Sequence, residues 1–160
     1  IELPKKLTVR QNLVVYGKLY NVSNLNDQID YLSNRLRLNK LLDNVTGELS
    51  SGQKNRVSLA KALINNPTVL LLDEPTASLD PETGDFVRTF LENYKKENKI
   101  SVLLASHNMD EVKRLCGSVL MMKGGIIVDS GTPDHLITKH GRKNLEEVFL
   151  ELVRNKNEFN

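Results

Sequence analysis

Cysteine is almost absent from these 160 residues: Cys116 stands alone. It has no partner for an internal disulfide and no second thiol to complete a zinc set, which fits a reducing compartment. Long apolar runs are missing as well. The longest, such as Val69-Leu70-Leu71-Leu72, fall far below the roughly 20 residues that a membrane-spanning helix needs. Charge of one sign is not in excess, with 22 Lys and Arg against 20 Asp and Glu and a net charge of +2. The interspersed signs leave no basic stripe of the sort that binds nucleic acid, so no nucleic-acid partner is expected. There is no internal repeat and no low-complexity tract. What remains is an ordinary globular composition, 39% hydrophobic and 26% charged, in a chain long enough to bury roughly two thirds of its unfolded surface.

The hydrophobic pattern changes character near residue 50. Before it, apolar residues at Leu13, Val14, Tyr16 and Tyr20, then at Ile29, Leu32, Leu36 and Leu38, fall at helical spacing, with a turn over 21–24. A third helix is expected from Gly52 to Ile64, capped by Ser50 or Ser51 and closed by Asn65-Asn66-Pro67. Beyond it the chain alternates. Thr68 to Asp73 reads as a fully buried strand, Pro81 to about Lys96 as an amphipathic helix, and Ile100 to Ala105 as a second apolar strand. Strand, helix, strand implies an α/β fold with a parallel sheet. A short helix from Met109 to Cys116 follows, then a hairpin about Lys123-Gly124-Gly125 and a last helix from about Asn144 to Val153.

The chemistry gathers at strand and helix ends. The run Thr68-Val-Leu-Leu-Leu-Asp73-Glu74-Pro75 delivers two adjacent carboxylates at the carboxyl end of a parallel strand, where open sheets bind nucleotides. Neighbouring residues leave a strand in opposite directions, so Asp73 and Glu74 divide labour: one suits Mg²⁺, the other an attacking water. Leu49-Ser50-Ser51-Gly52-Gln53 opens a helix, placing a hydroxyl and free N–H groups at a positive dipole end, either as an anion site or as a plain capped helix start. The second strand ends at Ser106-His107, which sets an imidazole at the same edge of the sheet.

Leu49 to Gln53, Val69 to Pro75, Ser78-Leu79-Asp80 and His107 together resemble the nucleotide-binding domain of ATP-binding cassette (ABC) transporters, with four motifs in the family's order and approximate spacing. The resemblance implies a P-loop ATPase core joined to an α-helical signature subdomain. It implies that Ser50, Ser51, Gly52 and Gln53 contact the γ-phosphate of ATP held by a partner subunit, with Ser51 standing where the family's first signature glycine does. Asp73 would hold Mg²⁺ through water, Glu74 would be the catalytic base, and His107 would contact the γ-phosphate. Ser78 and Asp80 match the loop that crosses the dimer interface, although Asp80 also reads as a helix N-cap before Pro81.

The implied organisation is a helical subdomain over 1–66, the carboxy-terminal half of the ATPase core over 67–132 and a helical tail over 133–160. The implied function is ATP binding and hydrolysis for a membrane permease at the cytoplasmic face of the cell membrane, with ATP and Mg²⁺ as cofactors and a second nucleotide-binding domain as partner. The ending, from Met109 through Gly131-Thr132-Pro133 to Val153, is similar to the exporter branch for drugs, lipids or polysaccharides. No Gly-x-x-x-x-Gly-Lys-Ser/Thr phosphate loop occurs in these residues and Ile1 stands first. A piece of a longer chain, inactive alone, is therefore expected, with an open apolar sheet edge that something must cover. Two alternatives remain: a non-catalytic docking or regulatory fragment, and a chromosome-maintenance or DNA-repair ATPase, although the long heptads of the latter are not seen in these residues.

Overall fold

A computed structural model describes residues 3–77 and 79–154. The chain divides into two compact units, Ile1–Leu103 and Leu104–Asn160.

The first unit opens with helices. α1 (Val9–Leu19) starts at Thr8, whose hydroxyl accepts from the Gln11 N–H at 3.1 Å while Gln11 Oε1 accepts from the Thr8 N–H at 2.9 Å. This reciprocal cap satisfies two donors that the helix cannot satisfy itself. α2 (Leu25–Arg35) returns after a turn at Asn21, and Gly17 of α1 lies so close to Leu25 that any Cβ there would collide with the leucine side chain. Two 3₁₀ turns, Asn39–Leu41 and Thr46–Glu48, lead to α3 (Ser51–Leu63). Val9, Leu13, Ile29, Leu32, Leu36, Val57, Ala60 and Leu63 are wholly buried between these helices. Each of the larger ones contributes about 1.5–3 kcal/mol by leaving water. Asn12 is buried too, its amide donating to the Thr8 carbonyl at 3.0 Å.

Strand β1 (Val69–Asp73), helix α4 (Pro81–Asn98) and strand β2 (Ser101–Ala105) complete the expected alternation, and β1 and β2 pair in a two-stranded parallel sheet. Asp80 caps α4 with Pro81 in its first turn, and Lys99 ends it in the left-handed conformation at φ 52°. One expectation fails here. The strand that reads as fully buried is buried on alternate residues only: Leu70 is 4% exposed, whereas Val69 and Leu71 are 57% and 70% exposed. The pleat sends successive side chains to opposite faces, and the described residues pack only one of them.

The second unit holds α5 (Met109–Leu115), the antiparallel strands β3 (Val119–Lys123) and β4 (Ile126–Gly131), α6 (Pro133–Lys139) and α7 (Leu145–Arg154). Gly124 and Gly125 take φ 57° and 80°, the conformation that a tight hairpin demands and that glycine adopts without steric cost. Val112, Val119, Met121, Leu136, Leu145 and Val148 form the core of this unit. Helix α6 is not anticipated by the periodicity. Its signal is local: Thr132 accepts from the His135 N–H and Pro133 occupies the first turn.

Candidate nucleotide site

The start of α3 settles which serine caps it. Ser50 Oγ accepts from the Gln53 N–H at 3.3 Å, and Gln53 Oε1 accepts from the Ser50 N–H at 2.9 Å. The pair closes on itself without exhausting its hydrogen-bonding capacity. A hydroxyl that accepts still has a proton to donate, and a glutamine that accepts through its oxygen keeps two N–H donors. The N–H groups of Ser51 and Gly52 have no carbonyl one turn back in the helix, so the first turn presents donors at the positive end of a 13-residue dipole. Gly52 also packs closely on α4: a Cβ there would stand 3.3 Å from Thr83 Cγ2, tight enough that the threonine must give by a few tenths of an ångström. Ser51, at the departure from the signature, is exposed.

β1 ends at Asp73, which is exposed, and the chain then turns sharply. Glu74 takes φ 47°, in the left-handed region, and is half-buried. A non-glycine residue pays about 1–2 kcal/mol for that conformation, and the following Pro75 adds a further preference for extended backbone. The turn is held in place from α3. Asn55 Nδ2 donates to the Pro75 carbonyl at 2.7 Å, and the Ala77 N–H returns to the Glu74 carbonyl at 3.1 Å. A cleft of about 750 Å³ opens beside it, lined by Tyr16, Asn55, Lys61, Leu71, Asp73 and Pro75 among others. Lys61 Nζ lies 4.8 Å from the Tyr16 ring centroid, and burial lowers its pKa.

Asp80 Oδ1 accepts from the Thr83 N–H at 3.0 Å, and that bond holds its carboxyl below the ordinary aspartate value. Its role as a cap is therefore real, whatever else it does. Ser78 lies outside the described residues. In the second unit His107 is exposed on the loop after β2 and lines a polar cleft of about 450 Å³ with Asn108, Lys113, Asn144 and Glu146.

The sequence profile of the ABC transporter family matches residues 1–77. Among curated proteins, the ABC transporter ATP-binding protein NatA of Bacillus subtilis is 33% identical over 152 residues, covering 93% of this chain and 61% of that protein. A solved ATP-binding subunit of an ABC transporter superposes with a TM-score of 0.82 at 25% identity, over 94% of this chain and 64% of its own. The chain belongs to the ABC transporter ATPase family. Other relatives of this cassette domain are the Nod factor export ATP-binding protein I of Rhizobium sp. (36% identical; 92% of this chain, 49% of that protein) and the methionine import ATP-binding protein MetN 1 of Bacillus cereus (37%; 86% and 42%). The chain thus spans about half the length of the curated relatives it matches. A dimeric ATP-binding cassette in a post-hydrolysis state with ADP and Pi shares the fold, with a TM-score of 0.74 at 23% identity over 81% of this chain and 58% of its own.

Two residues of the cassette escape a reading of the sequence. Asn55 joins the signature helix to the turn after β1, and only its place two residues beyond Gln53 hints at it. Glu111 is a wholly buried carboxylate, hidden in the sequence as one more charge on a short helix.

Proposed function

We propose that this chain carries the signature and Walker B portion of an ATP-hydrolysing ABC transporter subunit. The supporting observation is Glu74, which a disfavoured backbone conformation turns out of the strand immediately beyond Asp73. In this reading Glu74 orients the attacking water and accepts its proton, while the His107 ring donates to the γ-phosphate. The outward donors of Ser50, Ser51, Gly52 and Gln53 take the γ-phosphate of ATP held by a second nucleotide-binding domain. Asp80, and by the sequence resemblance Ser78, would serve the crossing to that partner.

The donor set fits Mg²⁺ delivered with its nucleotide. Among the described residues no group of three or more His, Cys, Asp or Glu could form a dedicated metal site. An exposed Asp73 suits an octahedral ion that keeps its waters and takes most other ligands from phosphates. When bound, Mg²⁺ neutralises charge on the phosphates.

The functional division is a helical subdomain over 1–66, half of the ATPase core over 67–132 and a tail over 133–160. No helix among the described residues is long and apolar enough to cross a membrane, and the proposed seat is peripheral, on a permease at the cytoplasmic face. Export is the proposed direction, on the carboxy-terminal resemblance.

The first test is a titration of the 160 residues with a fluorescent ATP analogue and Mg²⁺. These residues contain no phosphate loop, so no saturation is expected up to millimolar nucleotide; micromolar binding would refute that account. The second is Glu74→Gln in the cassette joined to its phosphate loop. Turnover should fall by roughly 10²–10⁴-fold with nucleotide still bound. Unchanged turnover would return the chain to the docking reading.

A further inference from the structure

α5 closes its first turn differently from α1 and α3. In those two helices the residue three positions after the cap reaches back to the cap's own N–H, as Gln11 does to Thr8 and Gln53 to Ser50. At α5 the cap is Asn108, whose Oδ1 accepts from the Glu111 N–H at 3.0 Å. Glu111 holds the reciprocal position, but its carboxylate does not complete the box. The Asn108 N–H donates instead to Ser106 Oγ at 3.1 Å, and the Ser106 hydroxyl donates to Glu111 Oε2 at 2.7 Å. The capping box is relayed through a hydroxyl, and the closed ring of bonds straddles His107.

An ordinary cap does not require this arrangement. Glu111 is 0% exposed, and its Oε1 has no hydrogen-bond partner among the described residues. Burying a carboxylate with one oxygen unpaired is costly, whereas an apolar side chain of the same shape at such a site is often neutral or stabilising. The cost falls on a side chain that holds the Ser106 hydroxyl, which in turn accepts from the Asn108 N–H on the other side of the imidazole. The imidazole itself stays exposed at the rim of the polar cleft.

We propose that Glu111 is a positioning residue for His107: through the Ser106 hydroxyl it clamps the 106–108 backbone and so holds the imidazole in one orientation. This rests on the reading of His107 as the γ-phosphate contact for its use, but not for its measurement.

The test is side-chain NMR on the 160-residue chain without nucleotide, reading His107 χ1 from three-bond couplings and the exchange rate of the Asn108 amide. Ser106→Ala removes the relay, Ser106→Thr restores its hydroxyl, and Glu111→Met fills the same volume without a carboxylate. A single His107 rotamer is expected in the parent and in Ser106→Thr. Averaged rotamers and roughly fivefold faster Asn108 exchange, the equivalent of one hydrogen bond, are expected in Ser106→Ala and Glu111→Met. Glu111→Met should do this with a melting temperature no lower than the parent's, which separates positioning from a structural role. Unchanged couplings in Glu111→Met would overturn the proposal, and if Ser106→Ala does not fold, Glu111→Met and Ser106→Thr decide between the outcomes. The two readings fail separately. A His107→Ala cassette with undiminished turnover removes the phosphate contact and leaves the clamp standing, while unchanged couplings remove the clamp and leave the contact.

Discussion

At Glu74 two local preferences are overridden together. Its φ of 47° is unfavourable for any side chain with a Cβ, and its position before Pro75 calls for extended backbone. Such outliers persist only where the surroundings over-determine them, and here Asn55 grips the Pro75 carbonyl from the neighbouring helix. Comparing Glu74→Gly with Glu74→Ala isolates the backbone from the loss of the carboxylate. Glycine ordinarily costs about 0.5–1 kcal/mol relative to alanine, but relief of the left-handed penalty of about 1–2 kcal/mol reverses that order. Glu74→Gly should therefore be the more stable of the two by up to about 1 kcal/mol in urea denaturation, and alanine equal or better would show that the turn stores no strain. The identity of the residue is legible from Asp73-Glu74-Pro75 at the end of an apolar run. Its conformation is not, because the intrinsic preferences of the residue oppose it and one restraint on the turn comes from Asn55, 19 positions earlier. Ser50 is half legible: Gln53 three residues on selects it over Ser51 as the cap, and only the geometry shows both side chains engaged while still able to donate.

Among elements, those with periodicity or punctuation can be read, and those tied by side chains distant in sequence cannot. α1, α3, α4 and the hairpin announce themselves by apolar spacing, by Ser50 or Ser51 and Asp80 at helix starts, and by Gly124-Gly125. α6 is seven residues long, too short for periodicity to register. The tie between β4 and the end of α6 leaves no sequence signal at all. Asp129 Oδ1 accepts from Lys139 Nζ at 2.7 Å, its Oδ2 lies 2.7 Å from His140 Nε2, and the other His140 nitrogen stands 3.5 Å from Glu151 of α7. The bonds from Lys139 and then His140 hold the Asp129 carboxyl at about 2, against an ordinary 3.8. A depressed carboxylate pKa stabilises the fold above the ordinary value, and that contribution is lost as pH falls from about 4 toward 2. The Asp129 side chain is 8% exposed, so the loss should be on the order of 1–2 kcal/mol. Asp129→Asn should lower stability at pH 7 by that amount and flatten the fall between pH 4 and 2 in urea titrations. An unaltered acid limb would mean that the pair carries no linkage.

For the whole molecule, the governing observation is how much apolar strand surface meets water. Val69, Leu71 and Leu103 are 57%, 70% and 65% exposed on β1 and β2, and Leu120, Met122, Ile126 and Ile127 are each more than half exposed on the hairpin. An apolar run such as Val69 to Leu72 reads as buried on both faces, which is right about what the residues favour. What the pattern within a strand cannot reveal is that the described residues supply packing for one face only. Each exposed leucine forgoes about 1.5–3 kcal/mol of burial, and strands with apolar outward positions seek another surface. The chain should therefore associate with itself as its concentration rises tenfold in analytical ultracentrifugation. Leu71→Thr with Leu103→Thr places a β-branched residue suited to a strand at each position and removes the apolar surface. Because both positions face solvent, stability should change by no more than about 0.5 kcal/mol each, while association falls. A parent chain that stays monomeric across that range would mean that the exposed faces are already covered, and then the double substitution should lower stability instead. The direction of that change identifies which of the two states the molecule occupies.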